Sequence, residues 1–299
     1  MTSAPAQFDP AAFKTQQRLV WDYSAKGWSA WRDQIEAWFA PVTKKMIDLA
    51  PVKPGQTVLD AGTGYGQPAL TAAGIVGPDG HVFGIDLSRA MLEAARKQAS
   101  KQNLSNVSFA ERDIEALDDV GRFDVVLSRL GLMFVVDRAR AFGAIRNALK
   151  PGGVLVAAVW GPSPSHHVSL ALGPLVSRLG LPPPPQGAPS PFSMSDASQL
   201  TSDLKAAGFV DVLTTEMTVL FRFRSVEEFV RFNQENLPPE IMQAVRKIFG
   251  AEDASDAWRL VSEAVQPHLT PNGAVELSCI ILCVRAVAPS AISVLRSAS

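Results

Sequence analysis

The feature that most constrains the fold of this chain is an alternation of strand-like and helix-like segments between Thr57 and Trp160. Short apolar runs such as TVLDAG, HVFGIDL and FDVVLS are separated by stretches with helical periodicity. Strands that alternate with helices of roughly 10–15 residues indicate βαβ units and a parallel sheet with helices on both faces. The pattern predicts an α/β, Rossmann-like fold with a seven-stranded, mostly parallel sheet.

The segments outside this alternation predict a helical and loop cap. Residues 17–50 carry aromatic and aliphatic side chains at helical spacing, on one helix face: Trp21, Trp28, Trp31, Ile35 and Trp38. This face is interpreted either as core packing or as a lid over a binding site. We expect an N-terminal lid over 1–50, a core over 51–161, and the rest of the sheet over 162–299 with cap segments at 162–196 and 225–268.

Composition argues against several classes of partner. The formal net charge is −1 and the charges of both signs are mixed, which disfavours a nucleic-acid binder. No run reaches the ~18 apolar residues that span a bilayer. The N-terminus lacks a basic region followed by an apolar run, so we expect a cytoplasmic protein. Cys279 and Cys283 lie in one strand-like run and are expected to be small buried side chains; the scattered Cys and His predict no metal site.

A glycine-rich turn, DAGTGYG, follows the first strand of the alternation. Glycine permits unusual backbone angles and lets a ligand approach the main chain. Asp86 follows at the end of the next strand, where a carboxylate can accept hydrogen bonds from both ribose hydroxyls of a nucleoside. A purely structural turn is the alternative, but both features stand at strand ends, where open α/β sheets bind ligands.

The turn departs from the dinucleotide fingerprint GxGxxG because Gln67 stands where its last glycine would be. Asp60 also lies two residues before the first glycine. A carboxylate repels a pyrophosphate but attracts a ligand that carries an ammonium and a sulfonium group. This electrostatic argument favours S-adenosylmethionine over a dinucleotide.

Taken in order, VLDAGTGYG, GIDLS, ERDIEAL, FDVVLS and LKPGG resemble the motifs of class I S-adenosylmethionine-dependent methyltransferases. Two segments resemble the ubiquinone/menaquinone-biosynthesis type of methyltransferase (methyltransferase domain types 11 and 25). They are VLSRLGLMFV and the Trp-rich stretch that precedes the first motif. The resemblance covers residues 55–160. It implies S-adenosylmethionine as donor, S-adenosylhomocysteine as product, and no metal.

The resemblance also implies a role for each matching residue. The glycine turn would wrap the methionine part and the ribose, with acidic residues around it and apolar side chains flanking the adenine. The residues so implied are Asp60, Gly62, Thr63, Gly64, Gly66, Asp86, Leu87, Met91, Asp113, Ile114 and Ser128. In the lid interpretation of the Trp-rich helix face, Tyr23 or Trp28 would lie against the sulfonium through a cation–π contact. As alternatives, Asp113 caps a helix, and Leu87 and Met91 simply pack.

Candidates for the acceptor side follow strands four and five of the alternation. His166 and His167 are predicted as base or acceptor contact, because histidine is the commonest general base; the alternative is a pair of loop histidines facing water. Arg129 is predicted to hold an acidic group of the acceptor, or else to pair with a surface carboxylate. Ser128-Arg129-Leu130-Gly131 lacks the Asn/Asp-Pro-Pro-aromatic motif of enzymes that methylate nucleobase or glutamine amide nitrogens.

These observations predict methyl transfer to a small molecule with an apolar or aromatic body, by a monomer or homodimer. The preferred acceptor atom is an oxygen of a phenol, quinol or other secondary metabolite. Transfer to a carbon of a quinone-like ring, and donor binding without transfer, are the two alternatives.

Overall fold

A computed structural model describes residues 8–162, 166–181, 185–250 and 254–290, apart from the side chains of residues 168, 171 and 172. The first seven residues, on which the expectation of no secretory signal partly rests, are outside this range. The chain divides into two compact units. Unit 1 comprises Met1–Phe39, Ser163–Ala188 and Thr218–Ile280, and unit 2 comprises Ala40–Pro162, Pro189–Met217 and Ile281–Ser299.

The helices are α1 (Pro10–Ala30), α2 (Arg32–Leu49), α3 (Ala69–Val76), α4 (Arg89–Lys101), α5 (Arg138–Ala148), α6 (His167–Leu179), α7 (Ala197–Ala206), α8 (Val226–Asn236), α9 (Pro239–Phe249) and α10 (Ser255–Ala264). The strands are β1 (Thr57–Ala61), β2 (His81–Asp86), β3 (Val107–Glu111), β4 (Phe123–Arg129), β5 (Leu149–Trp160), β6 (Val210–Phe223) and β7 (Val275–Val287). Short 3-10 helices cover Ile114–Ala116, Leu132–Phe134 and Gln266–His268.

The strands form one seven-stranded sheet in the order β3-β2-β1-β4-β5-β7-β6. The first five strands pair in parallel, and β7 runs antiparallel to β5. This confirms the predicted α/β fold with a mostly parallel sheet. Strands β1, β4 and β5 are almost completely buried, as expected for strands covered on both faces.

Local sequence explains where several of these elements begin and end. The Ser88 hydroxyl accepts a hydrogen bond from the Met91 amide at 3.1 Å, which caps α4. Asp137 caps α5 in the same way. The turn of α5 into β5 precedes Pro151 and Gly152, which do not continue a helix.

Unit 1 has an aromatic core. Trp31, between α1 and α2, and Trp38 of α2 are buried and lie edge-on to Phe232 of α8. Trp38 also contacts Phe221 and Phe223 of β6 at ring distances of about 5 Å. These two tryptophans therefore follow the core-packing interpretation.

Two helices of the less regular segments begin at other residues than the sequence indicates. The sequence predicts a loop that includes both histidines, but His167 is already the first residue of α6. The N-terminal helix begins at Pro10 rather than at residue 17, because Asp9 caps it. The described part of residues 225–268 contains α8, α9 and α10, and Pro238 separates the first two of these helices.

In the part of the chain that the structure describes, no helix combines the length and hydropathy needed to cross a bilayer.

Candidate functional site

The candidate donor site lies in unit 2, where three neighbouring parallel strands end at the same edge. Asp60 of β1 pairs in register with Gly84 of β2 and Leu127 of β4. The strand ends therefore bring together Asp60, Asp86 and Ser128, which are far apart in the sequence. The glycine turn begins directly after β1 at this carboxyl edge, the usual ligand-binding edge of an open α/β sheet.

The glycines of the turn have different reasons for lacking a side chain. Gly62 has φ 74°, and a Cβ there would meet Cα of Gly131 at 3.0 Å, so close backbone packing requires glycine. Gly64 has φ 54°, but a Cβ there would meet nothing within 4 Å. The space in front of Gly64 is open in the fold. Gly66 closes the turn by donating its N–H to the Thr63 carbonyl at 2.9 Å.

Asp60 is completely buried and organises the turn through one carboxylate oxygen. Its Oδ2 accepts from the Thr63 hydroxyl at 2.7 Å and from the Ala69 N–H of α3 at 2.9 Å. Its Oδ1 makes no hydrogen bond within the described residues. Burial raises the pKa of Asp60 to about 7, against the hydrogen bonds from Thr63 and Ala69 and the charge of Arg129, which lower it.

Asp86 links the turn to the next helix. Its Oδ2 accepts from the Gly64 N–H at 2.8 Å, and its Oδ1 accepts from the Ser88 N–H at 2.9 Å. Leu87 follows and is half-buried, whereas Met91 of α4 is buried. The carboxylate therefore fixes the turn by joining it to the start of α4.

Asp113 caps the 3-10 helix that follows β3. Its Oδ1 accepts from the Glu115 N–H at 2.9 Å, so the capping alternative is confirmed as one of its contacts. Ile114 is the first residue of that helix, and its Cδ1 lies 4.0 Å from the position that a Cβ on Gly62 would take. This places Ile114 beside the glycine turn.

Ser128 and Arg129 end β4 and are both buried. The Ser128 hydroxyl donates to the Ala61 carbonyl at 2.6 Å, which ties β4 to β1. Arg129 donates to Thr43 Oγ1 at 3.0 Å and to the Tyr65 hydroxyl at 3.2 Å. The surface-pairing alternative for Arg129 is therefore wrong.

Sequence reasoning missed Thr43 and Tyr65, although an aromatic residue inside a glycine turn is itself a signal. Tyr65 is buried between Gly64 and Gly66, and its hydroxyl accepts from Arg129. Thr43 comes from α2, and no local pattern connects it with β4. Their oxygens solvate the buried guanidinium.

The other predicted residues belong to unit 1. Tyr23 of α1 is 49% exposed. His166 and His167 are buried, with ring centroids 4.7 Å apart, and His167 also lies 4.8 Å from the ring of Phe221. The alternative of two histidines facing water is therefore wrong. Burial lowers the pKa of His166 to about 4 and that of His167 well below its ordinary value, so both rings are neutral near pH 7.

Both cysteines of β7 are buried and reduced, as predicted. Burial raises the pKa of Cys279 and that of Cys283 to about 11. They have different neighbours: Cys279 accepts a hydrogen bond from the His167 backbone N–H in unit 1, while Cys283 contacts the Met217 sulfur at 3.7 Å in unit 2.

Comparison with known proteins places this site in a family. The methyltransferase domain model matches residues 52–169. The chain is 30% identical over 221 residues to the nocamycin O-methyltransferase of Saccharothrix syringae, covering 66% of this chain and 75% of that one. It is 32% identical over 144 residues to the aklanonic acid methyltransferase DauC of a Streptomyces species, covering 48% of this chain and 64% of that one.

A solved structure shows the same fold at low identity. The phosphoethanolamine N-methyltransferase 2 of Haemonchus contortus, solved with phosphomonomethylethanolamine and S-adenosylhomocysteine, superposes with a TM-score of 0.56 at 21% identity. The match covers 95% of this chain and 61% of that one. Together with the sheet order, the glycine turn and the two strand-end carboxylates, these similarities show that the chain belongs to the S-adenosylmethionine-dependent methyltransferase family.

Proposed function

We propose that this chain transfers a methyl group from S-adenosylmethionine to an oxygen atom of a small molecule with an apolar or aromatic body. The observation that carries the donor assignment is Asp60. Its buried Oδ1 makes no hydrogen bond within the described residues, and it lies at the ligand-binding edge of the sheet. A buried carboxylate oxygen that makes no hydrogen bond is stabilised by a nearby cation. The amino acid part of S-adenosylmethionine carries such a cation, its ammonium group.

The residues of unit 2 fit the rest of the donor. The open space in front of Gly64 would accommodate a ligand against the backbone, and the Asp86 carboxylate, which holds the Gly64 N–H, would accept from the ribose hydroxyls. Asp113, Ile114, Leu87 and Met91 would surround the adenine. Once bound, the donor supplies a methyl group on a positively charged sulfur. The protein contributes binding, orientation and exclusion of water.

For the acceptor, we propose that His166 or His167 receives the proton of the reacting hydroxyl. Both imidazoles are neutral near pH 7, so each has one unprotonated ring nitrogen, the form that can act as a base. An imidazole whose pKa is lowered by burial is a weak base. This favours an acidic hydroxyl, such as that of a phenol, over an aliphatic alcohol.

We propose further that Arg129 binds an acidic group on the acceptor. Its guanidinium donates to the hydroxyls of Thr43 and Tyr65, which fix its position. One relative is named for an organic acid, aklanonic acid, and another for O-methyl transfer to nocamycin. A phenol that carries a carboxylate combines the acidic hydroxyl that a weak base favours with an acidic group that Arg129 would bind.

The test is a panel of phenols, quinols and aromatic acids incubated with a ¹³C-methyl donor. We expect ¹³C signals in the range of methoxy carbons, and greater turnover for acceptors that carry a carboxylate. Signals of ring-bound methyl carbons would instead establish the C-methyltransferase alternative. Donor binding by calorimetry without any transfer would establish a donor-binding protein.

Variants test the acceptor and donor proposals separately. His166→Ala should lower turnover while leaving donor affinity unchanged, with His268→Ala as the control because His268 lies in a separate 3-10 helix. Equal turnover in both variants would contradict the role of His166. The lid prediction is tested by Tyr23→Ala, which should weaken donor binding relative to Leu19→Ala, another exposed residue of α1.

A further inference from the structure

In unit 1 the fold brings together three side chains of the types that ligate metals, a grouping that the sequence does not reveal. His166 precedes α6, His167 begins it, and Cys279 lies in β7. One nitrogen of each imidazole and the Cys279 sulfur all lie within 4.8 Å of one another. Only the fold brings them together, since the cysteine is far from the histidines in the sequence.

We propose that His166, His167 and Cys279 form a binding site for a zinc-class divalent cation. Two imidazole nitrogens and one thiolate are the ligand types that zinc and its neighbours prefer, and three protein ligands leave a fourth position open. Metal binding is measurable without donor or acceptor, so this inference does not depend on the proposed function.

The geometry requires only a small adjustment. In a tetrahedral site with bonds of about 2.0–2.3 Å, ligand atoms lie roughly 3.3–3.7 Å apart. The observed separations of up to 4.8 Å therefore close by about 1 Å through side-chain rotation. The rings are stacked at an interplanar angle of 26°, so one imidazole has to turn for both lone pairs to converge.

A second contact supports the thiolate. The backbone N–H of His167, at the first position of the 13-residue helix α6, donates to Cys279. Amide groups at a helix N-terminus stabilise a negative charge on sulfur. Binding replaces the thiol proton with the metal: one S–H bond breaks, one sulfur–metal bond forms, and one proton is released to solvent.

Charge predicts what occupies the fourth position. A divalent cation with one thiolate and two neutral imidazoles carries a net charge of +1. The cluster is buried, with Phe221 and Phe232 next to His167. A buried net charge is unfavourable, so an anionic oxygen such as hydroxide or a phenolate is the preferred fourth ligand. The base role proposed above therefore applies to the metal-free protein, because a metal-bound imidazole nitrogen has no lone pair left to accept a proton.

The experiment is a titration of the full-length metal-free protein with Co²⁺, whose thiolate complexes absorb in the near ultraviolet. We expect one Co²⁺ per chain, a sulfur-to-cobalt charge-transfer band, and displacement of Co²⁺ by Zn²⁺. Cys279→Ala should abolish the band, and His166→Ala should weaken affinity by roughly 100-fold or more. Cys283→Ala is the matched control, because Cys283 is equally buried on the same strand but is not in the cluster.

Two further measurements keep the result interpretable. Thermal unfolding of each variant shows whether loss of the band reflects loss of the fold. Zn²⁺ should also slow labelling of Cys279, but not of Cys283, by a thiol reagent in mild denaturant. Absence of the band in the folded wild-type protein, or its persistence in Cys279→Ala, would overturn the proposal.

Discussion

The pKa of Asp60 leads to a prediction about donor binding as a function of pH. In the ligand-free protein burial raises this pKa to about 7. The donor's ammonium group favours the ionised carboxylate, so the carboxyl proton is released when the donor binds. Donor affinity should therefore rise with pH as Asp60 ionises.

The size of the effect follows from the fraction of ionised Asp60. With a pKa of about 7, this fraction is roughly one tenth at pH 6 and roughly nine tenths at pH 8. Affinity should therefore increase about tenfold between these pH values, equivalent to about 1.4 kcal/mol, and level off above pH 8.

The same shift affects folding with the opposite sign. The carboxyl of Asp60 has its ordinary pKa of 3.8 when the chain is unfolded, and a raised pKa when it is folded. The protonated form therefore contributes fully to the free energy of unfolding below about pH 4. That contribution declines as the pH rises toward 7 and is constant above it.

Isothermal titration calorimetry with S-adenosylhomocysteine, which carries the same ammonium group, measures the effect at pH 6, 7 and 8. Repeating the titration in buffers of different ionisation enthalpy counts the protons released. Asp60→Asn should give a flat pH profile, and so should 5′-methylthioadenosine, which lacks the amino acid part. A wild-type affinity that is constant or falls between pH 6 and pH 8 would refute the reasoning.

Three further predictions concern the turn, its partner carboxylate and the aromatic core. Asp86→Ala should weaken donor binding by about 1.5–3 kcal/mol, the value of a charge-assisted hydrogen bond. Calorimetry measures this, with Asp118→Ala as a control at an exposed carboxylate. Unchanged donor affinity in Asp86→Ala would mean that Asp86 does not bind the ribose. Gly64→Val should abolish donor binding, because the valine side chain fills the open space in front of the turn. Gly121→Val is the control, since Gly121 has a similar φ of 57° and no neighbours, so this variant should show only the backbone strain. Equal donor binding by the two variants would contradict the argument that the ligand approaches the backbone at Gly64. Trp38→Ala should lower the free energy of unfolding by about 3–5 kcal/mol in urea titrations. Val120→Ala, at an exposed residue, should change it by no more than about 0.5 kcal/mol. Similar free energies of unfolding for the two variants would mean that the Trp38 contacts do not stabilise unit 1.

The sequence by itself determined the class of the sheet and predicted the candidate donor site, because both depend on local patterns. Strand and helix periodicity gave the α/β class, and a turn between a strand and a helix has its glycines and its first carboxylate close together along the chain. Asp86 was also predictable, since it ends the next strand and parallel strands share their carboxyl edge. For these residues, the position in the sequence is therefore enough to predict the position in the fold.

Only the tertiary structure decided the surroundings of the isolated residues. Arg129 was predictable as a strand-end cation, but not its burial with Thr43, which comes from a helix with no local relation to β4. The sequence predicts that the two histidines lie in a loop between proline-rich stretches. In the structure they are buried beside Phe221 and lie close to Cys279. The physical reason is that burial and its effect on a pKa depend on long-range packing, and no periodic pattern in the sequence encodes which distant residues meet.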